Sequence, residues 1–148
     1  MLRSPAGLLL PSLAVVLTAC SHATRPTADE VQVTPDGRRI ITAEAIAHSG
    51  ARTAWDALRR TVPFYTFREN SDGRPSSIEH RGRSSIVLRD QPMIVLDNVE
   101  VKDFTVLGEM PAADLLDIEI LSGIDATTYY GTNATKGVIR LRTKTHEN

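Results

Sequence analysis

The feature that most constrains this chain is the run of strand and turn signals between Gln91 and Lys144. Met93-Ile94-Val95-Leu96 is a short continuous apolar run, the pattern of a strand buried on both faces. Asp97-Asn98 follows, and Asn tolerates the positive φ that a two-residue turn needs. Val99 and Val101 then alternate with Glu100 and Lys102, as in a strand with one wet face. Pro111 suits a first helical position and predicts a short helical turn through Asp114 and Leu115. Ile118, Ile120 and Leu121 predict a strand that stops at Ser122-Gly123, and another short turn, Asp125 to Tyr130, ends at Gly131. From Val138 to Thr143 the sides alternate strictly, placing Val138, Arg140 and Arg142 opposite Ile139, Leu141 and Thr143. A strand with two arginines on one face lies half in water or against an acidic partner.

The first half carries the signals of two helices. Thr42 reads as an N-cap with Glu44 in the first turn, and Ser49-Gly50 as the stop. Thr53 caps the next helix, with Asp56 three residues on, and Trp55, Leu58 and Val62 form one apolar stripe before Pro63 ends it. Phe64 to Phe67 reads as a strand and Asn70 to Pro75 as a loop. Pro35-Asp36-Gly37 is a turn between extended segments.

These residues resemble the plug domain of TonB-dependent outer-membrane receptors. The family carries a proline-led apolar strand with a two-residue turn, matched here by PMIVLDNV from Pro92 to Val99. An acidic-apolar strand follows, matched by Asp114 to Gly123, then a small-residue turn ending in Tyr-Gly, matched by Ala126 to Gly131. The last strand of the pattern is matched by Ala134 to Lys144. ITAEAI from Ile41 and IEHRGRSS from Ile78 are similar to its opening and middle, with His80 where the family carries an apolar residue. The resemblance implies an α+β fold, a small mixed β-sheet with short helices, over residues 30–144, followed by a tail at 145–148. It also implies partners, a TonB-dependent receptor barrel or TonB. Glu30-Val31-Gln32-Val33-Thr34 is similar to the family's TonB box, which pairs with TonB as an added strand, with Gln32 a departure from it; the simpler reading is the first strand of the domain. A receptor barrel needs many strands of about ten residues. The plug-like strand ends four residues before Asn148, so the expectation is a chain that forms no transport pore by itself.

Residues 1–19 read as a lipoprotein signal peptide. Arg3 supplies the positive start, Leu8 to Leu17 an apolar stretch too short to span a bilayer, and Leu17-Thr18-Ala19-Cys20 resembles a lipobox. Cys20 is the only cysteine, and its thiol would take the lipid; the alternative is a soluble secreted protein cut after Ala23. A lone cysteine forms no internal disulfide. Residues 20–29 then form a tether. Outer-membrane attachment follows, with the periplasmic face favoured over the cell surface.

Composition narrows the chemistry. The chain is slightly acidic, with a formal net charge of −1, and has no basic run interleaved with aromatics, so nucleic acid is not an expected partner. The four histidines, His22, His48, His80 and His146, show no paired spacing, and no metal or cofactor site is expected. Ser84 and Ser85 lack a nucleophile-elbow context. Asp117 and Glu119 share one face of a strand; they read as its solvated side, with acid–base catalysis a remote alternative. Gly131 and Gly137 read as backbone requirements, not a phosphate loop. The expectation is therefore a non-enzymatic binding or accessory module. Arg81, Arg140 and Arg142 are its candidate partner contacts. Otherwise Arg81 pairs internally with Asp97 or Glu119, and the other two sit in water. A stand-alone periplasmic ligand-binding lipoprotein that has reused the plug fold is the second reading.

Overall fold

The computed structural model describes residues 31–35, 37–81 and 91–146. The leader, Cys20, the tether, Glu30, Asp36, Ser84 and Ser85 lie outside the described residues.

Among the described residues eight strands form two sheets, and four α-helices pack with them around one principal core. Strands β1 (Val31–Val33) and β2 (Arg39–Thr42) lead into helices α1 (Ala43–His48) and α2 (Ala54–Thr61). A hairpin of β3 (Tyr65–Glu69) and β4 (Pro75–His80) makes a separate two-stranded sheet. Then come β5 (Met93–Leu96), β6 (Val99–Glu100), α3 (Thr105–Glu109), β7 (Leu115–Leu121), α4 (Gly123–Tyr130) and β8 (Val138–Thr143). The main sheet has the order β1-β2-β7-β8-β5-β6, antiparallel except for the β5–β8 pair.

Local chemistry accounts for most boundaries. The Thr42 hydroxyl accepts the Ala45 amide and the Thr53 hydroxyl accepts the Asp56 amide, satisfying one orphan donor at each helix start. Asp97 and Asn98 both take positive φ, +45° and +69°, so β5 and β6 are joined by the primed type of two-residue turn. Gly131 and Gly137 have φ of +77° and +90°, and a Cβ on Gly137 would lie 2.9 Å from the Leu121 carbonyl oxygen. Pro75, expected in the loop, instead opens β4, where its missing N–H costs little. Leu115 begins β7 rather than ending a turn; the turn is the 3₁₀ segment Ala112–Asp114. The expected turn at Asp125–Tyr130 is a full helix, α4, and α3 was not anticipated.

The apolar stripe of α2 explains the core. Trp55 is buried with its indole edge-on to Phe67 at 5.3 Å and stacked on Phe104 at 6.2 Å. Leu58, Val62, Ile41, Ile118, Ile139 and Leu141 join the same cluster, so α1, α2, α3 and the β3–β4 hairpin cover one face of the main sheet. A smaller cluster of Val95, Leu121, Ala126, Ala134 and Val138 lies under α4. β6 is only two residues long, and Val99 is exposed rather than the inward half of an alternating strand. An edge strand that short has too little partner surface to bury it.

Candidate functional site

The second face of the main sheet is built from charges. Register places Ile40, Glu119, Arg140 and Val95 in one cross-strand row, and Thr42, Asp117 and Arg142 in the next. Directly opposed side chains on one face stand within reach of each other, so opposite charges there pair. Arg142 grips Asp117 with both Nε (2.9 Å) and Nη2, a two-point fork. Glu119 is held from two sides: Arg140 Nη2 pairs with one oxygen, and Arg38 Nη1 lies 3.2 Å from the other. Arg38 in turn lies over the Tyr129 ring of α4, 5.7 Å from its centroid.

These contacts correct one expectation. Asp117 and Glu119 are not the solvated side of β7; they are 6% and 3% exposed. Their partners lie two dozen residues downstream or some eighty upstream, and alternation within β7 looks the same for a wet face and for an ion-pair face. Nor do Arg140 and Arg142 simply sit in water: each is committed to a carboxylate, although Arg142 keeps 45% of its side chain exposed. Arg140 Nε is buried without a hydrogen-bond partner. Arg81 lies elsewhere, beyond the end of β4, exposed, with its amide donated to the Phe64 carbonyl at 2.7 Å. Asp97, one of its suggested partners, instead accepts from the Thr143 amide (2.8 Å) and hydroxyl (2.7 Å), tying the β5–β6 turn to β8. Arg38 was missed in the sequence. Only its place after the Pro35–Gly37 turn, which sets the register of β2 on β7, could have flagged it.

Beside the Asp117–Arg142 pair the face opens into a concavity of about 570 Å³, lined in part by Gln32, Ile40, Glu44 and Asn98. It is open and its lining is about as polar as it is apolar, unlike the largely apolar, enclosing pockets that bury most of a small ligand. Among the described residues no group of three or more His, Cys, Asp or Glu is placed to hold a metal ion. No described helix is long and apolar enough to cross a membrane. Val31 to Val33, the TonB-box-like residues within β1, pair with Ile41 to Arg39 and end the main sheet. Thr34 follows, its hydroxyl donating to the Arg38 carbonyl.

Comparison with known proteins gives this arrangement its family. The fold is similar to part of the RagAB peptide importer in its closed-closed state, with a TM-score of 0.58 and 24% identity over 76% of this chain and 13% of that one. It is similar to part of the ferric enterobactin receptor PfeA of Pseudomonas aeruginosa, with a TM-score of 0.51 and 25% identity over 76% of this chain and 18% of that one. The siderophore receptor PirA of Acinetobacter baumannii gives 0.51 and 23%, over 76% and 19%. The chain thus spans less than a fifth of the length of each of these proteins. No curated protein matches the sequence. The family model of the TonB-dependent receptor plug domain matches residues 30–138, and with the α+β fold observed here the chain belongs to the TonB-dependent receptor plug family.

Proposed function

We propose that this protein is a non-enzymatic, lipid-anchored plug module of the outer membrane, acting with a TonB-dependent receptor barrel or with TonB supplied in trans. Membership of a family that serves transport carries the reading. The observation that supports a separate module is that the principal charges of the sheet's open face are matched within the domain: Asp117 by Arg142, and Glu119 by Arg38 and Arg140. A sheet whose carboxylates already have partners does not need a barrel wall to neutralise them. Cys20 is the lipid attachment point in this reading, and the periplasmic face is its side of the membrane. Of the three candidate contacts, Arg81 is exposed, Arg142 keeps 45% of its side chain in solvent beside its pair with Asp117, and Arg140 is reachable only if its pair with Glu119 opens.

A second reading, a stand-alone periplasmic ligand-binding lipoprotein, draws support from the concavity beside Asp117 and Arg142. One experiment separates the two. The Cys20-anchored chain is captured from gently solubilised membranes and the companions identified by mass spectrometry. Copurification of a receptor barrel or TonB, weakened by Arg81→Glu in a protein of unchanged circular dichroism, supports the first. A monomer without either, whose melting temperature rises with a small molecule, supports the second.

A further inference from the structure

We infer that one end of the domain is a docking surface for the anionic headgroups of a lipid bilayer. The end is defined by contacts on both faces of the sheet. On one face Arg39 lies over the Phe64 ring, 4.9 Å from its centroid, and its register partner on β1 is Val33. On the other face Arg38 lies over Tyr129. Lys136 and the start of α4 line the same shallow hollow as Arg39 and Phe64, and the Arg81 backbone N–H donates to the Phe64 carbonyl, which places Arg81 beside it.

Two properties distinguish this end. Four of the six large exposed hydrophobic residues among the described residues belong to it: Val33 at 64%, Phe64 at 47%, Ile124 at 82% and Tyr129 at 64%. Four cations, Arg38, Arg39, Arg81 and Lys136, sit among them in a chain whose net charge is −1. Of the described acids nearby, Glu119 is buried between Arg38 and Arg140, and Asp125 accepts the Ser122 hydroxyl at the start of α4. Aromatic and aliphatic tips interleaved with cations suit a headgroup layer. Rings and Ile124 enter the apolar boundary there, while the Arg39 and Arg81 guanidinium groups meet phosphates and Arg38 and Lys136, engaged within the domain, add to the positive field. The hollow between Arg39, Phe64 and Lys136 on this rim is shallow and open, and suits a flat headgroup layer better than a partner's helix. Its distance from the anchor fits too. The ten residues between Cys20 and Val31 reach at most about 35 Å, and β1 delivers Val33 directly to the rim. This last point alone rests on the lipid-anchor reading.

The test uses the full lipid-anchored chain in vesicles of phosphatidylcholine, with or without about one-third phosphatidylglycerol. Mass spectrometry first establishes whether Cys20 is acylated. If it is, Ile124→Cys supplies the one free thiol for a nitroxide, and Asp72→Cys, in the turn at the far end of the β3–β4 hairpin, supplies the control. The expected result is a label at 124 open to oxygen but shielded from a water-soluble nickel complex, only when the anionic lipid is present. The label at 72 stays open to nickel. Arg39→Glu with Lys136→Glu returns the 124 label to water. Equal nickel access at 124 and 72 overturns the proposal, as does shielding at 124 that requires an added membrane protein instead of anionic lipid. If Cys20 proves unacylated, the anchor reading fails by itself. The same chain is then sedimented with the anionic vesicles: at least a tenfold loss of partition in the double charge variant supports the rim, and no partition of the parent overturns it.

Discussion

Replacing Glu119 by Gln tests whether the charged face holds the fold together. The substitution keeps volume and removes the charge, leaving Arg38 and Arg140 facing a neutral amide. Glu119 is 4% exposed by side chain, whereas Arg38 and Arg140 are 30% and 27% exposed. Breaking a fully buried pair costs about 3–5 kcal/mol, because the remaining charge has no water. Here the remaining arginines keep part of their hydration, so the cost falls to about 2–3 kcal/mol. In a domain of this size each kcal/mol moves the melting temperature by roughly 4–5 °C, which gives a drop of about 8–15 °C. The assay is urea unfolding with a parallel thermal melt, reading a lower midpoint at unchanged slope. The protein supplies its own control: Arg68 and Glu79 pair at 3.3 Å with 62% and 47% exposure, so Glu79→Gln costs no more than about 0.5 kcal/mol. If the two variants lose the same small amount, the charged face is ordinary surface and the reasoning fails. A second check is Glu119→Gln with Arg140→Gln, which recovers part of the loss because no charge is left facing an amide on that side.

Three further outcomes follow from particular contacts. Gly137→Ala forces a side chain at φ +90° and brings its Cβ to 2.9 Å from the Leu121 carbonyl, so denaturant midpoints should fall by at least about 2 kcal/mol; a neutral effect would mean the β7–β8 approach is looser than described. Thr53→Ala removes the oxygen that accepts the Asp56 amide, with an expected loss of about 1 kcal/mol that Thr53→Ser largely restores. Burial raises the Tyr65 phenol above its ordinary pKa, so the unfolded chain ionises first; its contribution to stability is intact below about pH 10 and declines as pH rises towards the folded value. Ultraviolet titration of the native protein should show one tyrosine ionising late, and Tyr65→Phe should remove that phase.

The fold was legible wherever information is local. Thr42 and Thr53 announce their helices because a capping oxygen and the amide it satisfies lie three residues apart. Asp97-Asn98 announces a hairpin because few other residue pairs tolerate two positive φ values in succession. The apolar stripe of α2 announces the core by its period. The charged face was not legible, because its meaning is set by register. Glu119 reads as a wet residue until β8 places Arg140 beside it and the start of β2 brings in Arg38, 81 positions away. The Arg39–Phe64 and Arg38–Tyr129 contacts are hidden for the same reason, and with them the amphipathic rim. The resemblance of motifs to receptor plugs carried the family and the fold. It carried nothing about which charges of this chain are already spent on each other.

That distinction bears on β1, where the two readings of Val31 to Thr34 need not compete. β1 contributes Val31 to the margin of the core, while Gln32 and Val33 are exposed, and it ends the main sheet among the described residues. Under the proposed function, strand addition by TonB would have two routes. Release of the segment breaks its pairing with Arg39 to Ile41 and exposes Val31 before any new bond forms. Addition onto the outer edge of β1 breaks no pairing among the described residues, where that edge has no strand partner. The edge route is therefore favoured, and it predicts that β1 stays in the sheet when TonB binds. A disulfide between Gln32→Cys and Ile40→Cys, which face each other across β1 and β2, locks the strand in place; antiparallel partners stand about 4.5–5.5 Å apart at Cα, within disulfide range. If TonB binds the locked and the reduced protein with affinities within about threefold, addition to the intact edge stands. If the lock abolishes binding and reduction restores it, the segment acts by release, and β1 is a strand held only until its partner arrives.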